Sequence, residues 1–265
     1  MENQINFNIS ICSYNVFWKI MKNETSPLVK SLGSNKLFQL KSNILKNIFS
    51  IKNYYNPYFY CFQEAENAES IISLFDKSEY EYHIGYSEPE HILTIWQNKL
   101  FKKILGLNCE FEPGRPFTIF IFRDVRFGME FMLINIHSGH NPDTLNTLYK
   151  PIQQALDKNN KLINKFNIKR IIMIGDFNRD IGSQIMLEQY KYALEFNNQI
   201  FYFKPYLSTN KTCCSIKGYG FNKNYDQIID TYSEPILSHQ LNKESWYLPE
   251  SSDHLAILSI VKNYI

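Results

Sequence analysis

No apolar run in this chain approaches the roughly 20 residues that a membrane-spanning helix needs. Glycine and proline are scarce, 10 each in 265 residues, which excludes collagen-like and low-complexity architectures. Neither sign of charge dominates. Lys and Arg number 28 against 26 Asp and Glu, a net charge of +2, far from the basic coat of a protein that wraps nucleic acid broadly. The five cysteines are Cys12, Cys61, Cys109, Cys213 and Cys214, and none forms a CxxC pair with a His at zinc spacing. Adjacent cysteines are poorly placed to bridge each other, so Cys213 and Cys214 are expected as buried, reduced thiols like the rest. The polar start Met1-Glu2-Asn3-Gln4 is not the basic and apolar leader of a secreted protein. That sets the expectation of an intracellular, soluble chain, cytoplasmic or nuclear. With 44% hydrophobic and 20% charged residues, it has the composition of a folded domain and not of a disordered one.

The apolar pattern alternates between two periods. Phe7 to Val16 alternates with period two and predicts a strand. Leu37, Leu40, Ile44, Leu45 and Ile48 recur at helical spacing and predict a helix over 35–52. Lys19 to Ser34, with Pro27 and Gly33, reads as a loop. Tyr58 to Phe62 is a short buried strand, and Ala65 to Phe75 a helix. Ile92–Trp96, Phe117–Phe122, Glu130–Ile136 and Arg170–Ile174 follow as strands. A helix from Thr144 to Phe166, interrupted near Asn159-Asn160, precedes the last of these. A loop and helix, then late strands at Tyr225–Thr231 and Leu255–Val261, complete the chain. Strands and helices interleave without a linker rich in Pro, Gly or Ser, so residues 1–265 read as a single α/β domain.

Polar residues collect at the ends of these strands: Asn15, Gln63-Glu64, His137, Gly175-Asp176-Phe177-Asn178, Tyr225-Asp226 and Ser252-Asp253-His254. Strand C-terminal ends are where sites form in α/β folds. Singly, each has an ordinary explanation. Asn15 suits a turn, Glu64 the start of a helix, and Asp176 with Asn178 an Asx-turn. Arg115 in Gly-Arg-Pro could be a solvated loop cation, and His137 and Asp253 could simply lead into loops and strands.

Their combination and order carry more. A QE after one strand, a GDFN after another and an SDH before the last resemble the endonuclease/exonuclease/phosphatase superfamily of metal-dependent phosphoesterases, from Ser13 to Ile260. Tyr82-His83, Ser87-Glu88-Pro89, Asn135-Ile136-His137-Ser138, Leu148-Tyr149 and Tyr225-Asp226-Gln227-Ile228 look closest to the deoxyribonuclease I-like branch. That branch's Ca²⁺-binding loops are not evident. The resemblance implies a four-layer α/β sandwich, two mixed β-sheets packed face to face and flanked by helices. It implies Mg²⁺, with Mn²⁺ as substitute, held by Glu64 as principal ligand with Asn15 and Asp253. It further implies His137, Asp176, Asn178, Asp226 and His254 as catalytic groups, and Arg115, Tyr225 and Asn15 on the substrate. Glu90 is a candidate replacement for that branch's His-supporting Glu. A hard cation suits such oxygen ligands, and activation of water by His and Asp requires no protein nucleophile. The expected reaction is hydrolysis of a nucleic acid backbone by a monomer with no obligatory protein partner. An inositol phosphate or phospholipid headgroup is the alternative substrate, and an inactive binding module the alternative role.

Overall fold

The computed structural model describes residues 7–17, 27–140, 146–181, 193–204, 211–213, 223–231, 235–248 and 251–263. The chain runs β1 (Phe7–Asn15), α1 (Pro27–Tyr54), β2 (Phe59–Gln63), α2 (Ala68–Ile72), β3 (Tyr80–Ser87), β4 (Glu90–Gln97), β5 (Phe101–Glu112), β6 (Arg115–Asp124) and β7 (Glu130–His137). It continues with α3 (Asn146–Lys158), α4 (Asn160–Ile163), β8 (Ile168–Asp176), β9 (Ala193–Phe196), β10 (Gln199–Tyr202), β11 (Asp226–Asp230), β12 (Pro235–Gln240) and β13 (Ile257–Asn263). The helical stretch labelled α1 is broken at Gly33, whose φ of 73° is left-handed. Left-handed backbone is open to glycine without penalty, so the breaker predicted there acts inside the helical segment. The Lys19–Ser34 loop is otherwise cut short, since Pro27 already opens helix; residues 18–26 lie outside the described residues. The interruption predicted near Asn159 separates α3 from α4. Of the loop and helix expected after β8, residues 182–192 lie outside the described residues, and the chain resumes as the hairpin β9–β10.

Two mixed sheets form the centre. One has the order β12-β13-β1-β2-β4-β3 and the other β11-β8-β7-β6-β5. Each contains a single parallel pair, β1 with β2 and β7 with β8, flanked by antiparallel neighbours. α1 and α2 pack on the outer face of the first sheet over Tyr14, Tyr60, Phe62 and Leu93. α3, α4 and the β9–β10 hairpin cover the outer face of the second over Ile119, Ile134 and Met173. The result is the four-layer sandwich that the resemblance implied.

The layer between the sheets positions the site. Strand side chains alternate with period two, so Ile9, Ile11, Ser13 and Asn15 share one face of β1. Phe59, Cys61 and Gln63 do so on β2, Phe131, Leu133, Asn135 and His137 on β7, and Ile172, Ile174 and Asp176 on β8. At one end the layer is apolar and aromatic: Phe59 lies 4.7 Å from Phe101 and 4.9 Å from Phe122 between ring centroids. Further along each strand it becomes polar. Gln63 Nε2 donates to Asn135 Oδ1 across the sheets at 2.8 Å, and Asn135 Nδ2 donates to Thr94 Oγ1 at 3.0 Å. Beyond that amide bridge come Asn15, Glu64, His137 and Asp176. Buried amides that satisfy one another lose little stability on leaving water, which lets the core end in polar groups.

Candidate active site

The site sits where the two parallel pairs end. Asn15 and Gln63 are register partners at the ends of β1 and β2, as are His137 and Asp176 at the ends of β7 and β8. β11 runs antiparallel to β8 and brings Asp226 opposite Asp176. β13 runs antiparallel to β1, so Asp253-His254 enter from the same end. The glycine of GDFN is fixed sterically. Gly175 has φ 141°, and a Cβ there would strike the carbonyl oxygen of Ile136 on the neighbouring strand. Asn178 turns the chain with φ 50°, its backbone N–H donating to Asp176 Oδ1 at 2.8 Å, the Asx-turn geometry. Its side-chain amide donates to the Ser138 carbonyl at 2.7 Å and ties the two loops together.

Two imidazole–carboxylate pairs face each other. His254 Nδ1 meets Asp226 Oδ2 at 2.7 Å, which leaves Nε2 toward Asp176 Oδ2 at 3.5 Å and Cys213 Sγ at 3.3 Å. His137 Nδ1 is hydrogen-bonded to Glu90 Oε1, and its Nε2 faces Asp176 Oδ2 at 3.6 Å and Glu64 Oε1 at 3.9 Å. Arg115 Nη1 donates to that same Nε2 at 2.6 Å. An Arg guanidinium does not give up its proton, so this contact puts the ring proton of His137 on Nδ1, toward Glu90. Asn15 Nδ2 donates to both Glu64 Oε1 (3.3 Å) and Asp176 Oδ2 (3.0 Å), while its Oδ1 accepts from the Phe17 N–H. Asn15 thus bridges the two acids. Tyr225 joins through its backbone carbonyl, which accepts from Phe177 N–H at 2.9 Å.

Electrostatics follow from burial. Glu64 is held above the ordinary carboxylate range by desolvation, opposed by His137 and His254. Asp226 is likewise raised by burial against the pull of His254. Asp253 is pushed up to about 7 by burial, again opposed by His254. Asp176 goes the other way: burial is outweighed by His254, His137 and the Asn15 amide. Burial alone would lower His254, but Asp226, Asp176 and Asp253 raise it well above its usual value. On His137 the same desolvation is outweighed by Glu90, Asp176 and Glu64. Arg115 opposes that rise, because a proton on Nε2 and the Arg115 hydrogen bond exclude each other.

The residues fit a hard divalent cation. Glu64 Oε2, Asp226 Oδ1 and Asp253 Oδ1 are buried oxygens without a hydrogen-bond partner among the described residues. Ligand atoms of Asp176, Asp226 and His254 lie within 4.8 Å of one another. Unsatisfied carboxylate oxygens in a buried acidic cluster are costly unless a cation meets them.

Glu90, buried at the start of β4, supports His137 from the opposite sheet, in the His-supporting place for which the resemblance made it a candidate. One feature escapes sequence reasoning. Cys213 stands against His254 and is disulfide-bonded, contrary to the reduced state expected for all five thiols; Cys12, Cys61 and Cys109 are free.

No family model and no curated protein sequence matches the chain. Solved structures do. This is the endonuclease/exonuclease/phosphatase fold. The chain superposes on the endonuclease/exonuclease/phosphatase from Bacteroides vulgatus with TM-score 0.65, 14% identity, covering 98% of this chain and 100% of that one. ANGEL2, a 2′,3′-cyclic phosphatase in complex with adenosine-2′,3′-vanadate, matches with TM-score 0.67 and 17% identity over 98% and 97% of the chains. A mannosyl-6-phosphatase from Bacteroides thetaiotaomicron matches with TM-score 0.62 and 14% identity over 96% and 99%. No helix among the described residues is long and apolar enough to cross a membrane.

Proposed function

We propose that the chain is a divalent-metal-dependent phosphoesterase that hydrolyses phosphodiester bonds of nucleic acid, with Mg²⁺ as the working ion. The carrying observation is the convergence of two carboxylate-held imidazoles on Asp176, beside the unsatisfied oxygen of Glu64. Glu64, with Asp253 and Asn15 beside it, would hold the ion. When bound, such an ion supplies Lewis-acid polarisation of a phosphoryl oxygen.

The chain's own groups divide the remaining work. Asp226 accepts the Nδ1 proton of His254 and fixes the tautomer in which Nε2 is the acceptor, the role of the carboxylate in a Ser–His–Asp triad. In its neutral form, His254 Nε2 then takes a proton from the attacking water. Arg115, half-buried against His137, presents N–H donors where phosphoryl charge develops. Asn15 and Asn178 hold Glu64, Asp176 and the Ser138 loop in register. Among the described residues no Ser, Cys or Lys is assigned as a nucleophile, and water attack needs none.

Nucleic acid is favoured by Arg115 at the mouth of the site. The adenosine-2′,3′-vanadate bound by one structural neighbour is a nucleotide phosphoester mimic on the same fold. The deciding experiment offers end-labelled single- and double-stranded DNA and RNA, inositol polyphosphates, sphingomyelin and mannose 6-phosphate, each with Mg²⁺, Mn²⁺ or EDTA. Metal-dependent cleavage of a DNA or RNA strand is expected. Turnover of only a phosphomonoester or a lipid headgroup would replace nucleic acid as the substrate. Absence of any turnover would leave an inactive binding module.

A further inference from the structure

Beside the imidazole pair lies a cavity of about 410 Å³, lined by Phe111, Glu112, Gly139, Thr147, Lys150 and Arg179 among others. Arg179 directly follows the GDFN turn and its side chain is buried. Its Nε donates to the Phe177 carbonyl (3.3 Å), Nη1 to Thr147 Oγ1 (3.1 Å) and Nη2 to the Gly139 carbonyl (3.3 Å). One guanidinium therefore ties together the loop after Asp176, the loop after His137 and the start of α3. Burial pushes its pKa down, the direction that an anion in the cavity would reverse. Lys150 stands one turn after Thr147 on α3, exposed at the cavity wall. Residues three apart share a helix face, so its ammonium and the Arg179 fork line the same space. Glu112, at the end of β5, packs against Gly139 from the other side; a Cβ at Gly139 would strike its carboxylate. Among the described residues the lining thus holds two cations and one anion.

Resting on the phosphodiesterase reading, we propose that this cavity is a subsite for a second phosphate of the substrate, the one next to the scissile group. Gly139 is two residues from His137, at most about 7 Å of extended chain, so a phosphate one nucleotide along the strand falls within reach. The Arg179 charge, fixed in place by its three protein acceptors, and the nearby Lys150 ammonium together present the positive wall that a phosphate requires. The cavity also has the volume of a small-ligand site. Substrate choice then follows: a strand with consecutive phosphates is preferred over an isolated phosphodiester.

The test uses the full chain and two readouts. In EDTA, calorimetry with thymidine 3′,5′-bisphosphate and thymidine 5′-monophosphate reads the cavity apart from catalysis. The bisphosphate should bind more tightly. Lys150→Ala should weaken its binding roughly three- to tenfold, the scale of a partly exposed charge pair. Glu112→Gln should strengthen it by a similar factor. Arg179→Lys, which keeps the charge and loses the fork, should weaken it while far-UV circular dichroism reports an intact fold. With Mg²⁺, the ratio of kcat/KM for the dinucleotide with a 5′-phosphate over the one without should exceed one and fall in Lys150→Ala. Equal binding of the two nucleotides, or no response to either charge change, overturns the subsite whatever the activity. Charge-dependent bisphosphate binding with no cleavage of either dinucleotide would retain the subsite and remove the phosphodiesterase reading.

Discussion

The two imidazole–carboxylate pairs are built in opposite senses across the sandwich. Glu90 belongs to the first sheet and reaches His137 on the second. Asp226 belongs to the second and reaches His254, which leads into β13 of the first. Each pair therefore stitches the sheets together as well as orienting a ring. They differ at the other ring nitrogen. His254 Nε2 faces the Asp176 carboxylate and the Cys213 sulfur, whereas His137 Nε2 already accepts from Arg115. On the proposed mechanism this placement gives His254 the role of proton acceptor and leaves Arg115, held by His137, as the cationic wall. A carboxylate–imidazole pair does not define a role; the group on the far nitrogen does.

The strongest perturbation strikes Glu64, the acid proposed as principal holder of the ion. Glu64→Gln keeps shape and removes charge, and should lower metal-dependent kcat by on the order of 10²-fold or more. Isothermal titration with Mg²⁺ should show weakened binding in the same variant. Undiminished turnover would remove Glu64 from the proposed ion site.

The next test separates the rings. His254→Ala should lower kcat by roughly 10³-fold and His137→Ala by roughly 10²-fold, within the span of general acid–base effects. The double variant should lose less than the product, because groups acting in one step are not additive. A larger loss at His137 would reverse the assignment made from their neighbours.

How much of this was legible beforehand depends on whether the signal is local. GDFN could be read because Gly175 is required by its own neighbour strand and Asp176 by its own turn. The strand-end residues Asn15, Gln63, His137 and Asp176 could be read because period-two alternation carries each from an apolar position to a polar one on the same face. Glu90 was legible only as a candidate through the resemblance and not from local pattern: it is 47 residues from His137, and the docking of β4 over β7 brings them together. β5 was missed because bulges between Lys103 and Leu105 and between Glu110 and Glu112 break its alternation. β3 lies at a sheet edge, where half its side chains face water. Cys213 was read only as a buried, reduced thiol because its contact with His254 arises from bridging across 41 residues.

Removing the supporting carboxylates should produce smaller effects. Asp226→Asn and Glu90→Gln should each cost about 10- to 30-fold in kcat, since they orient a ring and do not meet substrate. The pair nevertheless has different signatures. Losing Asp226 lowers the His254 pKa, so the acidic limb of the kcat/KM profile should move to lower pH. Losing Glu90 leaves Arg115 on His137 and should leave that limb in place. Identical profiles for the two variants would make the pairs equivalent.

The smallest effect concerns an acid outside both pairs. Glu66 lies near Glu64 and Glu90, and burial raises its pKa from 4.5 to about 8, helped by those two carboxylates and opposed by backbone N–H donors. Because the folded value is the higher one, the unfolded chain releases this proton first as pH rises. The stability held at pH below about 4.5 is therefore lost progressively up to about pH 8, where the folded form ionises too. Glu66→Gln, which is neutral throughout, should remove that loss. With EDTA present, denaturant titrations should show the variant more stable than the parent by on the order of 1 kcal/mol at pH 8, after allowance for local relaxation of a partly accessible group. At pH 4 the difference should vanish. A constant difference across that range would mean that the substitution acts through packing and not through the proton, and that Glu66 does not share the electrostatic burden of the acids that face the two imidazoles.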